Sequence, residues 1–519
     1  MIKLISQGQI DQKLNTYFQI DSYRPGQKEI IQDVVSGKDV LGILPTGSGK
    51  SLCYQLPALL MDGLTIVVSP LISLMQDQVK QLKSKGFKNA AALNSFMDPE
   101  ERNHVLRNIS RFHLIYISPE LLQQRKLIEL FSRIKISLFV IDEAHCISQW
   151  GHDFRPDYLR LGAVMEQLGN PVVLALSATA TEEIQHDIIA ALNRDSIIKH
   201  KYPIDRQNIT FAVEHMNSNL DKRQFLTDLF RQYRVPALIY FTSRRMSEET
   251  AHYLSLNLPS HRIAFYHGGM DQNDRITIQQ QFMNDQLDII CCTSAFGMGI
   301  DKHNIRLVVH YHLPPQIESY IQEVGRAGRD GKRSIGVLLY AQGDEQIPES
   351  IISGELPTGD MVRAIFQRLD DLCSFTADFT EVKNQLIDEF QFNDIQWRFL
   401  HYQFEKHGMM KENKFVHESK RWEEAETNIA SLAGHRNSLK EAKLAEMVRW
   451  IKQTNCLRKH LYKSFQDTYE KPKNMCCSNC GFSLSEWAPD QTQSEDSVTT
   501  WQMKLRHILL SGVQHDQAK

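Results

Sequence analysis

Short apolar runs rich in valine and isoleucine recur through the first two-thirds of the chain, and they limit the possible folds more than any other feature. They lie at residues 65–70, 114–119, 138–143, 172–179, 237–243, 262–268, 289–294, 307–312 and 336–341. Runs this short and this rich in branched residues are typical of strands buried on both faces of a sheet. Because segments with helical character separate them, we predict parallel α/β sheets.

The runs form two groups, which are joined near residues 200–209. We therefore predict two tandem α/β domains, at residues 1–205 and 206–345. The strand-like runs stop after about residue 345, so a mainly helical C-terminal region is expected to follow.

Composition divides this C-terminal region into three parts. Residues 346–428 are predicted to be helical and to contain a small winged-helix-like element, in which a helix capped by Asp394 and ended by Gly408 precedes a strand pair. Residues 429–485 are predicted to be a helical segment that carries four cysteines. Residues 486–519 form a polar tail.

Charge and hydropathy exclude few classes of protein. The net charge of −3 gives no global cationic field, so any contact with nucleic acid must come from local basic clusters. The N-terminus has no apolar core of signal-peptide length, and no run of eighteen apolar residues predicts a membrane span. We expect a cytoplasmic protein, associated with the nucleoid if the source is bacterial. The other five cysteines are scattered beside apolar segments, as small buried hydrophobic residues are.

A phosphate-binding loop is predicted at residues 41–51, LGILPTGSGKS, where a strand leads through two glycines into a helix. Glycines let backbone N–H groups approach phosphates, and the helix N-terminus favours an anion. Leu44 stands where the general pattern has a glycine, but the Gly-Lys-Ser end is intact. Lys50 can reach the terminal phosphates, and the Ser51 hydroxyl can bind Mg²⁺. The predicted nucleotide contacts are Thr46, Gly47, Ser48, Gly49, Lys50 and Ser51.

An acidic pair, Asp142 and Glu143, follows the apolar run at 138–141. A strand-end aspartate can hold Mg²⁺ directly or through water, and the adjacent glutamate can orient and deprotonate the attacking water. An acidic pair at a strand end is often only solvated. Together with the phosphate-binding loop, the pair indicates an NTPase site.

Two arginines, Arg326 and Arg329, lie one helical turn apart in SYIQEVGRAGRDGKR (319–333). Phosphoryl transfer needs positive charge at the γ-phosphate, and an arginine from a second domain can supply it. Hydrolysis would then depend on domain closure, which couples chemistry to movement. Either arginine could fill this role, and a basic turn bound to solvent or to a carboxylate is the alternative.

In combination these segments resemble the RecQ family of superfamily 2 DNA helicases. The matching segments are 18–31 (FQIDSYRPGQKEII), 44–51 (motif I), 69–79 (motif Ia), 142–145 (DEAH, motif II), 177–179 (SAT, motif III), 239–245 (motif IV), 293–302 (motif V) and 322–331 (motif VI). The resemblance covers about residues 15–345 and continues more weakly to about 483. It implies two RecA-like domains and assigns Gln27 to adenine recognition.

The resemblance also gives a role to SQWGHDFRPDY (148–158), which directly follows motif II. In this family the segment is an aromatic-rich loop that senses single-stranded DNA and couples it to ATP hydrolysis. Trp150 and Phe154 are the predicted stacking residues, since aromatic rings stack on any base. His152 and Arg155 are candidates for phosphate contact or for relaying DNA occupancy to the ATP site. Alternatively, the aromatic residues fill a gap between domains.

The last cysteines, in CLRKHLYKSFQDTYEKPKNMCCSNCGFS (456–483), resemble the zinc-binding segment of the family. Cys456, Cys477 and Cys480 give three ligands, whereas a structural zinc requires four. Ser483 stands where a fourth cysteine is expected. Cys476 could complete the set, although adjacent residues seldom point into one tetrahedral site. A ligand outside the cluster, a lost site or a group of free thiols are the alternatives.

We therefore expect an ATP- and Mg²⁺-dependent DNA helicase of RecQ type. By resemblance, it moves 3′ to 5′ along single-stranded DNA and unwinds partly duplex DNA in recombination and repair. The family's longer members carry a full winged-helix domain and a further helical domain after the zinc segment, and residues 484–519 are too few for both. An RNA-remodelling ATPase with the same core and a non-catalytic DNA-binding recruitment factor are the alternatives.

Overall fold

The computed structural model describes residues 6–94, 97–148, 155–297, 302–373, 376–411, 414–466, 468–472 and 475–489. Two parallel sheets are followed by a mainly helical region, as the sequence predicts. None of the helices within these residues is long and apolar enough to cross a membrane.

The first sheet has seven strands in the order β3-β4-β2-β5-β6-β1-β7. Its strands are β1 (Val40–Ile43), β2 (Leu64–Val68), β3 (Ala90–Leu93), β4 (Leu114–Ile117), β5 (Ile136–Ile141), β6 (Val172–Ser177) and β7 (Ile198–Lys201). All of its pairings are parallel. Its helices are α1 (Gln7–Lys13), α2 (Gln27–Val35), α3 (Leu52–Ala58), α4 (Ile72–Ser84), α5 (Pro99–Arg107), α6 (Pro119–Leu122), α7 (Arg125–Phe131), α8 (Leu161–Gln167) and α9 (Glu182–Leu192).

The second sheet has six strands in the order β10-β11-β9-β12-β13-β8. Its strands are β8 (Ile209–Met216), β9 (Ala237–Tyr240), β10 (Ile263–Tyr266), β11 (Ile289–Cys292), β12 (Leu307–His310) and β13 (Ser334–Ala341). All of its pairings are parallel. Its helices are α10 (Asn219–Gln232), α11 (Arg244–Asn257), α12 (Gln272–Met283) and α13 (Ile317–Val324). The chain passes from the first sheet to the second through residues 202–208.

Burial on both faces explains why the strands are short apolar runs. Every residue of β1, β2, β4, β9, β11 and β12 is buried. In a parallel sheet the carboxyl ends of the strands meet at one edge, where ligands bind. Since β5, β6 and β1 are neighbours, the segments that follow them, which include motifs II, III and I, are brought together.

In the part of the chain that the structure describes, a mainly helical region with a small antiparallel sheet follows the second sheet. The helices are α14 (Gln346–Glu355), α15 (Gly359–Leu372), α16 (Phe379–Phe390), α17 (Asp394–Lys406) and α18 (Ser419–Lys452). The strands, paired in the order β14-β16-β15, are β14 (Thr376–Asp378), β15 (Met410–Lys411) and β16 (Lys414–Val416). The short helix α19 (Leu457–Leu461) then leads into the cysteine segment.

The predicted cap of α17 is wrong by one residue. Asn393, rather than Asp394, is the N-cap: its side-chain oxygen accepts hydrogen bonds from the N–H groups of Ile395 (3.0 Å) and Gln396 (2.9 Å). The Gln396 side chain reaches back to the N–H of Asn393, which completes a capping box. Gly408 follows the helix with a φ of 65°, a left-handed conformation that favours glycine.

Candidate nucleotide-hydrolysis site

The predicted phosphate-binding loop joins the end of β1 to the start of α3. Gly47 and Gly49 have φ values of 75° and 77°, a left-handed conformation that other residues adopt with strain. Gln27, at the start of α2, donates from Nε2 to the carbonyl oxygens of Ser48 (2.9 Å) and Gly49 (3.0 Å). The residue that the resemblance assigns to adenine recognition thus lies against the loop.

The two carboxylates follow β5 and face this loop. Glu143 Oε1 lies 3.8 Å from Lys50 Nζ, and both side chains are largely buried. Glu143 adopts a left-handed φ of 49°, unusual for a residue other than glycine and typical of functional sites. Burial, followed by the negative charge of Glu143, raises the pKa of Asp142 above its usual range. A buried carboxylate of this kind is stabilised by a nearby cation.

His145 connects motif II with motif III. Its Nδ1 lies 3.0 Å from Ser177 Oγ, at the end of β6, and 3.4 Å from Glu143 Oε2. Burial, together with the positive charges of Lys50 and Arg155, lowers the pKa of His145 to about 3. The imidazole is therefore neutral at physiological pH, so it orients its neighbours by hydrogen bonding rather than by charge.

The two arginines of motif VI point to different places. Arg329 extends over the phosphate-binding loop: a Cβ added to Gly47 would lie 3.0 Å from Arg329 Cγ. Arg326 is only 5% exposed, and its Nη1 donates to the carbonyl oxygen of Gly297 within the second domain. Of the two candidates for an arginine supplied across the cleft, Arg329 therefore has the required position.

The two α/β domains also touch at other points. Thr46 Oγ1 donates to the carbonyl oxygen of Gly325 at 3.3 Å, and a Cβ on Gly325 would collide with the Thr46 hydroxyl. On α4, Asp77 accepts a 2.7 Å hydrogen bond from Gln279 Nε2 on α12. The phosphate-binding loop and motif VI therefore face each other in a closed cleft.

Buried polar atoms at this cleft fit a bound nucleotide. Among the described residues, Ser48 Oγ and Thr179 Oγ1 are buried with no hydrogen-bond partner. Buried polar groups normally form hydrogen bonds. Where the protein supplies no partner for such a group, a ligand or water is expected to supply one. The donor set also suits Mg²⁺, since the Ser51 hydroxyl and the Asp142 carboxylate are oxygen ligands.

Of the four predicted DNA-coupling residues, the structure describes one. Trp150, His152 and Phe154 lie outside the described residues. Arg155 donates from Nη1 to the carbonyl oxygen of Pro70 at 3.1 Å, just before the motif Ia helix α4. Its backbone N–H bonds to the carbonyl oxygen of Cys146, next to motif II. Arg155 therefore connects motifs Ia and II at the end of the aromatic segment.

The four C-terminal cysteines form one cluster, which includes Cys476, the candidate that the sequence left open as a fourth member. The Sγ atoms of Cys456, Cys476, Cys477 and Cys480 all lie within 4.8 Å of one another. The backbone turns sharply on either side of the adjacent pair, with a left-handed φ of 45° at Met475 and a 3₁₀ turn after Cys477. This curvature allows both side chains to face Cys456.

Sequence reasoning missed two arginines near the site. Arg24 donates from Nη1 to the carbonyl oxygen of Gly47. Arg206, between the domains, donates to the carbonyl oxygens of Gly325 (2.6 Å) and Ala327 (2.8 Å) in motif VI. Arg24 belongs to the quoted RPGQ motif and could have been found there, whereas no local pattern marks Arg206.

Two family models match the chain. The DEAD/DEAH box helicase model matches residues 24–187, and the helicase conserved C-terminal domain model matches residues 221–331. These ranges contain the phosphate-binding loop, the acidic pair and both arginines of motif VI.

Several curated proteins are similar in sequence. The probable ATP-dependent DNA helicase RecS of Bacillus subtilis is 40% identical over 502 residues, which cover 96% of this chain and 97% of that protein. The ATP-dependent DNA helicase RecQ of Haemophilus influenzae is 42% identical over 333 residues, which cover 64% of this chain and 53% of that protein. This chain therefore matches nearly the whole length of RecS but about half of that RecQ.

Among solved structures, the likeness extends to the fold. The DEAD-box helicase Mss116 bound to single-stranded RNA matches with a TM-score of 0.57 at 16% identity, over 85% of this chain and 91% of that one. The DUF1998 helicase MrfA bound to DNA matches with a TM-score of 0.55 at 20% identity, over 66% of this chain and 52% of that one. With its helicase motifs in one closed cleft and its 40% identity to RecS, this chain belongs to the RecQ family of ATP-dependent DNA helicases.

Proposed function

We propose that this protein hydrolyses ATP between its two α/β domains and uses each turnover to move 3′ to 5′ along single-stranded DNA, unwinding duplex DNA ahead of it. The observation that carries the proposal is the approach of Arg329 to Gly47, opposite Lys50 and Glu143. Residues for nucleotide binding, water activation and charge stabilisation thereby come from both sides of one cleft. A role in DNA recombination and repair, in the cytoplasm or at a nucleoid, is consistent with this activity.

Within the site, nucleotide binding falls to the first domain. Gln27 contacts the adenine base, and residues Thr46 to Ser51 surround the phosphates with backbone N–H groups and the Lys50 ammonium. Ser51 and Asp142 would hold Mg²⁺, which neutralises charge on the β- and γ-phosphates when bound.

Hydrolysis uses groups from both domains. Glu143 orients and deprotonates the attacking water, and its carboxylate lies 3.8 Å from the Lys50 ammonium on the same side of the cleft. Arg329 supplies positive charge at the γ-phosphate from the opposite side of the cleft. Since Arg329 belongs to the second domain, hydrolysis requires closure, and release of products allows the domains to separate.

Coupling to DNA is assigned to the segment after motif II. Trp150 and Phe154 would stack on bases, and His152 and Arg155 would contact phosphates or relay occupancy. Arg155 bonds Pro70, and the Tyr158 hydroxyl donates to the carbonyl oxygen of Asp142 at 3.2 Å. A shift of this segment on DNA would therefore reach Asp142 through the Tyr158 hydrogen bond and motif Ia through Arg155.

A structural zinc ion at the cysteine cluster is also proposed. Cys456 Sγ lies 3.6 Å from Cys476 Sγ and 4.0 Å from Cys477 Sγ. Four sulfurs at about 2.3 Å from a tetrahedral zinc would be about 3.8 Å apart, so the residues fit the ion. The Tyr469 hydroxyl lies 3.5 Å from the sulfurs of Cys456 and Cys476, where it can orient the ligands.

The proposed function is tested by steady-state ATP hydrolysis with saturating single-stranded DNA or RNA, and by unwinding of duplexes that carry either a 3′ or a 5′ single-stranded tail. We expect strong stimulation by DNA alone and unwinding only from the 3′ tail. In Trp150→Ala, single-stranded DNA should no longer stimulate ATP hydrolysis, although ATP should still bind. Trp150→Phe keeps an aromatic ring and should retain much of the stimulation by DNA. Stimulation by RNA instead would favour an RNA-remodelling ATPase, and no response to either polymer would favour a non-catalytic recruitment factor.

Cys476→Ser should remove zinc from the purified protein. With all four thiolates present, we expect about one zinc per chain by elemental analysis, and loss of one ligand typically costs both metal and folding free energy. Ser483→Ala is the matched control, because the Ser483 hydroxyl contacts Ser485 rather than the cluster. Equal zinc in Cys476→Ser and native protein would exclude Cys476 as the fourth ligand.

A further inference from the structure

The turn that carries Arg329 is held by the linker between the two domains. Arg206 donates from Nη1 to the carbonyl oxygens of Gly325 (2.6 Å) and Ala327 (2.8 Å), and from Nη2 to that of Gly328. One guanidinium thus bonds three carbonyls of the turn 325–328, and Arg329 is the next residue along the chain. The planar fork of arginine suits such bridging, which the single ammonium of lysine cannot reproduce.

The same turn contacts the phosphate-binding loop on its other side. The carbonyl oxygen of Gly325 accepts from both Arg206 and Thr46 Oγ1. A displacement of this turn would therefore move Arg329 relative to Gly47. Positioning errors of about 1 Å can reduce a catalytic rate by about 10²-fold.

Electrostatic repulsion also favours the orientation in which the Arg329 side chain extends over the phosphate-binding loop. Burial, and after it the positive charge of Arg329, lower the pKa of Arg206 to about 10. The two like charges repel, which disfavours return of the Arg329 side chain toward the linker. The carbonyl dipoles compensate Arg206 for its burial.

The linker is in turn held by the cysteine segment. Arg458, in α19, is fully buried; it donates to the Asp205 carboxylate and to the carbonyl oxygens of Arg206 (3.3 Å) and Ile209. Gln466 Oε1 accepts from the N–H groups of Ile204 (3.1 Å) and Asp205 (3.3 Å). Since α19 begins directly after Cys456, the cysteine cluster lies next to the anchor of Arg206.

We propose that Arg206 is a positioning residue for Arg329, and that Arg458 anchors it, so that the cysteine segment controls ATP turnover without touching the nucleotide. The inference rests on the role proposed above for Arg329. Cysteine cluster, α19, linker, motif VI and phosphate-binding loop form one continuous series of contacts.

Arg206→Ala and Arg206→Lys test the proposal in the full chain with saturating single-stranded DNA. We expect kcat to fall by about 10²-fold in Arg206→Ala and by about tenfold in Arg206→Lys, because the turn is misplaced rather than the nucleotide site removed. Affinity for a fluorescent non-hydrolysable ATP analogue should change by less than about threefold, since no ATP contact is lost. Gln207→Ala is the matched control: its side chain contacts Glu470 and its kcat should be native.

A double-mutant cycle with Arg329→Ala separates this inference from the proposed function. If Arg206 acts through Arg329, the losses of kcat in the two single variants should not add. Addition of Arg206→Ala to the Arg329→Ala variant should then lower kcat by less than about twofold. Native kcat in Arg206→Ala, or fully additive losses, would overturn the inference. Native kcat in Arg329→Ala would instead refute the role proposed for Arg329. Should Arg206→Ala fail to fold, native kcat in Arg206→Lys decides against the inference.

Discussion

Replacement of Glu143 by glutamine should lower the DNA-stimulated rate of ATP hydrolysis by about 10²- to 10⁴-fold, the range expected on loss of a general base. The amide has nearly the same size and shape as the carboxylate, but it cannot take the proton of the attacking water. Because the substitution removes one charge and few contacts, its effect should fall on kcat rather than on ATP binding.

ATP binding should be retained in Glu143→Gln, because Glu143 contributes little to the nucleotide pocket in the ground state. Its closest ion pair, with Lys50, spans 3.8 Å, which is too long for a hydrogen bond. Its removal leaves the Lys50 ammonium available to phosphate oxygens. Steady-state hydrolysis and affinity for a fluorescent ATP analogue, measured on the same preparation, separate the two effects.

Glu166→Gln is the matched control for this charge change. Glu166 lies on α8 of the same domain, and its carboxylate accepts a bond from exposed Asn193. Its hydrolysis rate should equal that of the native protein. A rate for Glu143→Gln within about threefold of native would mean that another group deprotonates the water.

The sequence predicts the strands of the two sheets well wherever a buried strand is rich in branched apolar residues. In the two parallel sheets three strands were not predicted, and each has a physical reason. β3 is AAAL, and alanine does not favour strands; β7 lies at the sheet edge with partly exposed residues at alternate positions. β8 begins directly after the interdomain linker, and Thr210, Glu214 and His215 keep its apolar run short.

Side chains near the site were predictable only where one local segment defines their role. Lys50, Ser51, Asp142 and Glu143 follow strands of one sheet, so a parallel topology brings them together. The grouping of Cys476 with Cys456 depends on a backbone turn at Met475 that no local pattern indicates. Arg206 becomes significant only when the linker folds against motif VI, a contact between residues more than a hundred positions apart.

Arg326 and Arg329 could not be ranked from sequence, because each follows a glycine and both lie in the same basic segment. The ranking depends on the direction of the chain after α13, which turns one side chain into the second domain and the other across the cleft. We therefore expect substitution of Arg329 to lower the rate of ATP hydrolysis and substitution of Arg326 to lower the stability of the fold.

Arg329→Ala should reduce ATP hydrolysis by about 10³-fold, since an arginine at the γ-phosphate typically contributes 10³- to 10⁵-fold to phosphoryl transfer. The loss should appear in kcat, with ATP affinity changed much less, because the charge is required mainly as the phosphoryl group transfers. Arg329→Lys should recover only part of the rate, as an ammonium cannot form the paired contacts of a guanidinium.

Arg326→Ala should instead lower stability. Loss of its buried side chain leaves the carbonyl oxygen of Gly297 without this donor. An unsatisfied buried acceptor typically costs about 1–3 kcal/mol in the free energy of unfolding. Thermal and denaturant unfolding should therefore distinguish Arg326→Ala from the native protein, whereas Arg329→Ala should unfold nearly as the native protein does.

Measurement of both properties for both variants decides the assignment. If Arg329→Ala retained native kcat while Arg326→Ala lost it with unchanged stability, Arg326 would be the residue that reaches the nucleotide. Such a result would require the Arg326 side chain to leave Gly297 within the second domain and turn across the cleft, because in the closed cleft Arg329 is the one beside Gly47. The expected outcome is a loss of kcat in Arg329→Ala and a loss of stability in Arg326→Ala. This outcome requires no arrangement of the two arginine side chains other than the observed one.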